Sequence, residues 1–84
     1  MPKTRRKRDN TERMRDMGCA IAYYRRRRGM SQDELAGAVG ISRQHMGAVE
    51  SPNMNRGISL DLVFNLADAL EIEPYLLFQF HSGK

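Results

Sequence analysis

The chain has little of what stabilises secreted proteins or anchors membrane proteins. It holds one cysteine, Cys19, which cannot form an internal disulfide and is most simply a reduced residue. No apolar run approaches the length of a membrane span, and the basic N-terminus lacks the apolar segment of a secretory signal. We therefore expect a cytoplasmic protein that does not enter a membrane.

Groups that carry catalysis or hold metals are equally scarce. There is no Ser/His/Asp or Cys/His arrangement and no glycine-rich phosphate loop, and the carboxylates are scattered along the chain. His45, His81 and Cys19 are too few and too widely spaced to predict a metal site. The 84 residues suffice for one modest core but not for a separate catalytic domain. We expect no catalytic residue, no metal and no cofactor, and no small-molecule site is evident.

Charge is abundant and unevenly distributed. The formal net charge is +4, but residues 1–28 hold eleven Lys and Arg against three acids, whereas residues 29–84 hold three against seven. A basic end attached to an acidic remainder predicts an oriented encounter with a polyanion. Taken alone, such a basic run is more often a solvated tail.

A pair of short helices joined by a tight turn is predicted between residues 29 and 50. Ser31 and Glu34 have the spacing of a capping box, which predicts a helix from about Gln32 to Val39. Gly40 is suited to the left-handed conformation that ends a helix sharply, and Ser42 can cap a second helix from about Arg43 to Glu50. Two helices joined in this way form a helix-turn-helix, in which the second helix can enter the major groove of DNA.

Three further helices are predicted, and no strand or internal repeat. Asp9 and Glu12 can form a second capping box for a long first helix that ends near Arg28 and Gly29. Ser59 can cap a fourth helix, and Pro74 suits the first turn of a short fifth helix that carries Leu77 and Phe78. Apolar spacing predicts the following inward-facing side chains: Met14, Met17, Ile21 and Tyr24 of the first helix, and Leu60, Val63, Phe64, Ala67 and Leu70 of the fourth.

Together these features resemble the Cro/repressor-type (XRE) helix-turn-helix family. The resemblance is carried by Ile21, Arg25, the string Gly-Met-Ser-Gln-x-Glu-Leu-Ala from Gly29 to Ala36, Gly40-Ile41-Ser42, Glu50, and Ser59-Leu60 to Leu70. It implies an all-α, compact five-helix, lambda-repressor-like domain over residues 9–84. Residues 3–8 have no apolar side chain to bury, so we expect a flexible basic arm over residues 1–8. The resemblance further implies a transcriptional regulator that binds double-stranded DNA, commonly as a homodimer.

The third helix supplies the candidates for base recognition. Met46 and Val49 share an inward face with Ile41, which leaves the opposite face for DNA: Arg43, Gln44, Gly47 and Ala48. Arginine can donate two hydrogen bonds to guanine, and glutamine can pair with adenine. Small side chains permit close approach to the bases.

Contacts to the DNA backbone are expected from polar residues around that helix. In the family, the glutamine at the position of Gln32 contacts the DNA backbone. The other candidates are Ser42, His45, Asn53, Asn55 and Arg56, together with the arm residues Lys3, Arg5, Arg6, Lys7 and Arg8. For His45, packing half-buried beside Val49 is slightly favoured over a phosphate contact. Asn53, Asn55 and Arg56 lie in the predicted loop after the third helix. For any one of them, a polar connection without a DNA contact is about as good an interpretation as a contact to the DNA backbone.

A structural pair is implied by the resemblance. In the family an arginine of the first helix and the glutamate that closes the third form an ion pair, and Arg25 and Glu50 match these positions. For Arg26, Arg27 and Arg28 the default is a solvated helix end favoured by the helix dipole, and the alternative is that some of them contact phosphates.

Two other functions compete with a transcriptional repressor or autoregulator. Antitoxins and mobile-element regulators reuse this fold, and some such domains mainly bind another protein. The basic arm also allows RNA binding, but Tyr23, Tyr24 and Tyr75 do not form an aromatic platform for unpaired bases. Arg43 and Gln44 at the N-terminal end of the third helix are predicted to contact base edges. This prediction favours duplex DNA over RNA or a protein as the partner.

Overall fold

The computed structural model describes residues 10–51 and 57–79, which form helices and no strand. Four α-helices follow one another as α1 (Thr11–Arg27), α2 (Gln32–Val39), α3 (Arg43–Glu50) and α4 (Leu60–Leu70). A short 3-10 helix, Pro74–Phe78, comes after them where a fifth helix was predicted. The predicted all-α class is confirmed.

The ends of α2 and α3 are set by local sequence. The Ser31 hydroxyl accepts a hydrogen bond from the Glu34 backbone amide at 3.0 Å, and the Glu34 carboxylate accepts one from the Ser31 amide at 2.8 Å. Gly40 adopts φ 76° and ends α2, a left-handed conformation that other residues adopt only with strain. Ser42 then caps α3 through a 2.9 Å hydrogen bond from the His45 amide. The predicted capping residues of both helices are confirmed.

The start of α1 is less well capped. Its N-cap residue is Asn10, whose side chain makes no capping hydrogen bond. The predicted cap Asp9 lies outside the described residues.

The core lies where α1, α2, α3, α4 and the 3-10 helix converge. Its buried apolar residues are Met17, Ile21, Leu35, Ala36, Met46, Val49, Val63, Leu66, Ala67, Leu70 and Leu77. Met46 and Val49 are both buried, as the spacing in the third helix predicted, and Ile41 packs against this cluster. Because Met46 and Val49 are the side chains of α3 that enter the core, its other side chains can make contacts outside the core.

The predicted inner face of α4 was partly wrong. Leu60 and Phe64 are 60% and 47% exposed, whereas Leu66, which was not predicted to face inward, is fully buried. Phe64 lies about 100° around the helix from Val63, beyond the stripe that meets the core. Leu60 is the first residue of α4, almost one turn before the first buried position.

Candidate nucleic-acid interface

The N-terminal end of α3 presents side chains that the fold itself does not use. Arg43, Gln44 and His45 are exposed. The Ser42 cap holds the backbone at this end, but the three side chains form no hydrogen bond or ion pair within residues 10–51 and 57–79. Groups of this kind are available to an external partner.

The exposure of His45 contradicts one expectation from the sequence. Packing half-buried beside Val49 was favoured, but His45 is exposed. It lies about 100° around the helix from the buried Met46, which turns it out of the core. The imidazole is therefore on the same accessible side as its two neighbours.

Gly47 and Ala48 occupy the middle of α3 and are half-buried. A Cβ atom at Gly47 would lie 3.9 Å from Oε1 of Gln32, so this part of α3 faces the start of α2. The structure thus brings together Gly47, proposed for base contact, and Gln32, proposed for backbone contact.

The C-terminal end of α3 is held by Arg25 and Glu50, which form the ion pair that the resemblance implied. Arg25 Nε lies 2.8 Å from Glu50 Oε2, and Arg25 Nη2 donates to Glu50 Oε1 at 3.0 Å. The two side chains are only 10% and 5% exposed. Arg25 Nη1 also donates to the Met30 carbonyl oxygen at 2.8 Å, so one guanidinium joins α1, the turn before α2 and α3.

The side-chain hydrogen bond to Glu50, helped by its negative charge and opposed by desolvation, raises the pKa of Arg25 above its ordinary value. A raised pKa gives stability that is fully present below the unfolded-state value and is lost only as the pH rises through the folded one. For an arginine that window lies far into the alkaline range. The Arg25 guanidinium therefore stays charged near neutral pH.

Gln32 has a contact that sequence reasoning missed. Its Nε2 donates to Glu50 Oε1 at 2.9 Å, so the first residue of α2 is joined to the last residue of α3. No local pattern signals this bond because its partners are 18 positions apart in the sequence. The bond restricts the Gln32 carboxamide to one orientation at the edge of the candidate interface.

The arginines at the end of α1 have different surroundings. Arg28 forms an exposed ion pair with Glu71, with Nη2 and Oε2 3.1 Å apart. Arg27 donates to the Tyr23 hydroxyl at 3.3 Å and lies over the Tyr23 ring, 5.7 Å from its centroid. Both contacts are on the surface, which agrees with the solvated helix end taken as the default.

The remaining predicted contacts lie outside the described residues. They are Asn53, Asn55 and Arg56 of the loop after α3, and Lys3, Arg5, Arg6, Lys7 and Arg8 of the arm. Their roles stay predictions.

Residues 10–51 and 57–79 contain no candidate metal centre and no candidate membrane span. No three His, Cys, Asp or Glu side chains come close enough there to hold a metal ion. None of the helices in these ranges is both long and apolar enough to cross a membrane.

Known proteins share this architecture. The restriction-modification controller protein C.AhdI from Aeromonas hydrophila is 37% identical, with 77% of this chain and 96% of that one covered and a TM-score of 0.71. A hypothetical transcription factor, NHTF from Neisseria, is 28% identical, with 86% and 79% covered and a TM-score of 0.75. The biofilm master regulator SinR, in a structure with DNA, is 24% identical, with 75% and 98% covered and a TM-score of 0.68, a likeness of fold alone.

No curated protein is significantly similar to the chain. A family model does match it: the helix-turn-helix model aligns with residues 21–77, from the middle of α1 to the 3-10 helix. This alignment includes α2 and α3 with their caps, and both members of the Arg25–Glu50 ion pair. Since the model spans most of the sequence, the chain belongs to the XRE-type, or Cro/repressor-type, helix-turn-helix family of DNA-binding transcription regulators.

Proposed function

We propose that this protein binds double-stranded DNA sequence-specifically through α3 and acts as a repressor or autoregulator of transcription. The observation that carries the proposal is the contrast within α3. Glu50 at its C-terminal end is bonded to α1 and α2, while Arg43 and Gln44 at its N-terminal end are exposed without partners among the described residues. The 37% identity to a restriction-modification controller protein supports a regulatory role.

The side chains at the N-terminal end of α3, the free end of this helix, fit base edges in the major groove of DNA. Arg43 can donate two hydrogen bonds to guanine O6 and N7, and Gln44 can pair with adenine N6 and N7. Gly47 and Ala48 add no strong donors, but they allow α3 to approach the bases closely, and the Ala48 methyl suits a thymine methyl.

Backbone contacts are proposed for Gln32, Ser42 and His45, which surround this end of the motif. A carboxamide carries two N–H donors, and Gln32 uses one of them on Glu50. The other is available for a phosphate oxygen, beside the electropositive N-terminus of α2. Such contacts set the register of α3 on the duplex without reading the sequence.

The arm and the loop are proposed to add further phosphate contacts. Five cationic residues lie between positions 3 and 8. Each phosphate that a cation neutralises changes the salt dependence of binding by a slope of roughly 0.9. Deletion of residues 1–8 should therefore lower affinity and flatten the salt dependence, and an unchanged slope would exclude the arm from the interface.

We further propose a homodimer that uses the C-terminal surface. Leu77 of the 3-10 helix is buried, but Tyr75 and Phe78 are exposed, and Tyr23 of α1 is exposed as well. Tyr23 and Leu76 line a groove of about 410 Å³ between α1 and the 3-10 helix. A two-fold contact here would present two recognition helices roughly 34 Å apart to a dyad-symmetric site.

Sedimentation at several protein concentrations without DNA tests the dimer. Phe78→Ser should weaken self-association, whereas Phe64→Ser, which removes an aromatic ring of similar exposure from α4, should not. A wild type that stays monomeric at high concentration would contradict a preformed dimer.

Selection of bound sequences from a random DNA pool tests the function itself. The selected duplex, a random duplex, RNA and single-stranded DNA are then titrated at two salt concentrations. We expect the selected duplex to bind at least a thousandfold more tightly than the random one, as is typical of specific binding proteins. Equal binding to all four would contradict sequence-specific recognition, and binding to none would favour a protein-interaction module.

A further inference from the structure

Gly18 lies in α1 at the point where that helix crosses the last turn of α3. It is buried, and a Cβ atom there would lie 2.6 Å from the Val49 carbonyl oxygen. The same atom would lie 3.3 Å from Cα and 3.4 Å from the carbonyl carbon of Glu50. These neighbours are backbone atoms, which cannot rotate away as the end of a flexible side chain can.

A glycine inside a helix usually lowers its stability relative to alanine. Gly18 is in the interior of α1, so its presence calls for a reason in the packing. The missing side chain provides that reason because any larger residue would force α3 away from α1.

The backbone contact of Gly18 lies at the C-terminal end of α3, the end that is held by hydrogen bonds. Glu50, whose backbone lies against Gly18, is the residue that bonds to Arg25 and Gln32. The hydrogen bonds pull this turn toward α1 and α2, and the backbone contact at Gly18 sets how far it can approach. The position of the turn follows from both.

We propose that Gly18 is a positioning residue that determines DNA sequence specificity by setting the docking depth and tilt of α3. It acts from the far end of the helix and does not touch DNA. The proposal rests on the proposed function, since it requires that Arg43 and Gln44 read bases.

The size of the displacement supports a selective effect. A separation of 2.6 Å is about 1 Å shorter than the roughly 3.5 Å at which non-bonded atoms attract one another. A methyl group at position 18 must therefore push the Val49 turn outward, while Arg25 and Gln32 continue to hold the Glu50 side chain. The rigid helix then tilts and carries Arg43 and Gln44 with it.

Base contacts and phosphate contacts respond differently to such a tilt. Two parallel hydrogen bonds to a base edge require donor–acceptor distances within a few tenths of an ångström of about 2.9 Å. Attraction between basic side chains and phosphates falls slowly with distance and tolerates the shift. Specific binding should thus be lost while non-specific binding remains.

The test compares Gly18→Ala with Gly37→Ala in the full chain. Gly37 lies in α2 and is exposed, and a Cβ atom there would meet nothing within 4 Å, so its substitution controls for a glycine-to-alanine change in a helix. For each variant the affinities for the selected duplex and for a scrambled duplex are measured, with circular dichroism to confirm folding. Loss of one good bidentate contact corresponds to roughly a five- to 150-fold fall in their ratio. We expect a fall in that range for Gly18→Ala and none for Gly37→Ala.

A folded Gly18→Ala that keeps the wild-type ratio overturns the inference and leaves the proposed function intact. A wild type without preference for any duplex overturns the proposed function instead. If Gly18→Ala is largely unfolded, the ratio is measured at low temperature on the variant that also carries Gly37→Ala, which favours the helical state of α2. A doubly substituted chain that is still unfolded also overturns the inference because the contact would then set stability and not orientation.

Discussion

The two ends of α3 differ in almost every physical respect, although the helix has only eight residues. At the C-terminal end, the Glu50 carboxylate accepts hydrogen bonds from Arg25 and Gln32 and is 5% exposed. At the N-terminal end, the side chains of Arg43 and Gln44 are exposed. One end is part of the protein's own hydrogen-bonded core, and the other is available to a partner.

This difference shows how a small domain can present flexible side chains with a defined geometry. A long polar side chain has many rotamers, so it recognises a base only if its backbone is held in place. The bonds at Glu50 supply that constraint without occupying the residues that would contact DNA. In the proposed function, stability and recognition are thereby separated along a single helix.

The largest effect is expected from breaking the Arg25–Glu50 ion pair, which holds the C-terminal end of α3. Arg25→Met or Glu50→Gln leaves a buried group without its partner, which should lower the free energy of unfolding by about 3–5 kcal/mol. The double variant should lose less than the sum of the two single changes, as urea unfolding of all three can measure.

Arg28→Met is the matched control for the Arg25–Glu50 ion pair. Its ion pair with Glu71 is 41% and 68% exposed, so its loss should cost about 0–1 kcal/mol. Strict additivity of the Arg25 and Glu50 changes would mean that the C-terminal end of α3 is not held by this pair.

Changes at the free end should affect recognition and not folding. Arg43→Ala should remove about 1–3 kcal/mol of discrimination at one base position of the selected site and leave non-specific affinity nearly intact. Gln44→Ala should act in the same way at a neighbouring position. Binding to the selected duplex and its point variants measures both, and equal weakening on every sequence would assign the residue to the phosphate contacts.

The smallest effect is expected from changing Ser42, the N-cap residue of α3. Ser42→Ala removes the hydrogen bond from the His45 amide and should cost about 1 kcal/mol of stability. Ser59→Ala removes the corresponding bond at the start of α4, from the Leu62 amide at 3.1 Å, and should cost a similar amount. If the Ser42 hydroxyl also contacts a phosphate, only Ser42→Ala should weaken DNA binding beyond its effect on folding. Equal affinities of the two variants would limit Ser42 to capping.

Local sequence was enough to locate the helix-turn-helix. The capping box at Ser31, the glycine at position 40 and the cap at Ser42 act on backbone groups within a few residues of themselves. For this reason the predicted bounds of α2 and α3 agree with the structure. The buried positions Met46 and Val49 followed from helical spacing in the same way.

Which faces of the helices are covered was decided only by tertiary packing. Sequence patterns placed Phe64 inside and slightly favoured packing of His45 beside Val49, but both side chains are exposed because no neighbouring element among the described residues covers their side of the helix. The bond from Gln32 to Glu50 and the contact of Gly18 with the Val49 carbonyl oxygen likewise join residues that are distant in sequence. Caps and periodicity depend on a few consecutive residues and can be read from them, whereas these contacts depend on the angles at which α1, α2 and α3 cross. Those angles result from packing of the whole core.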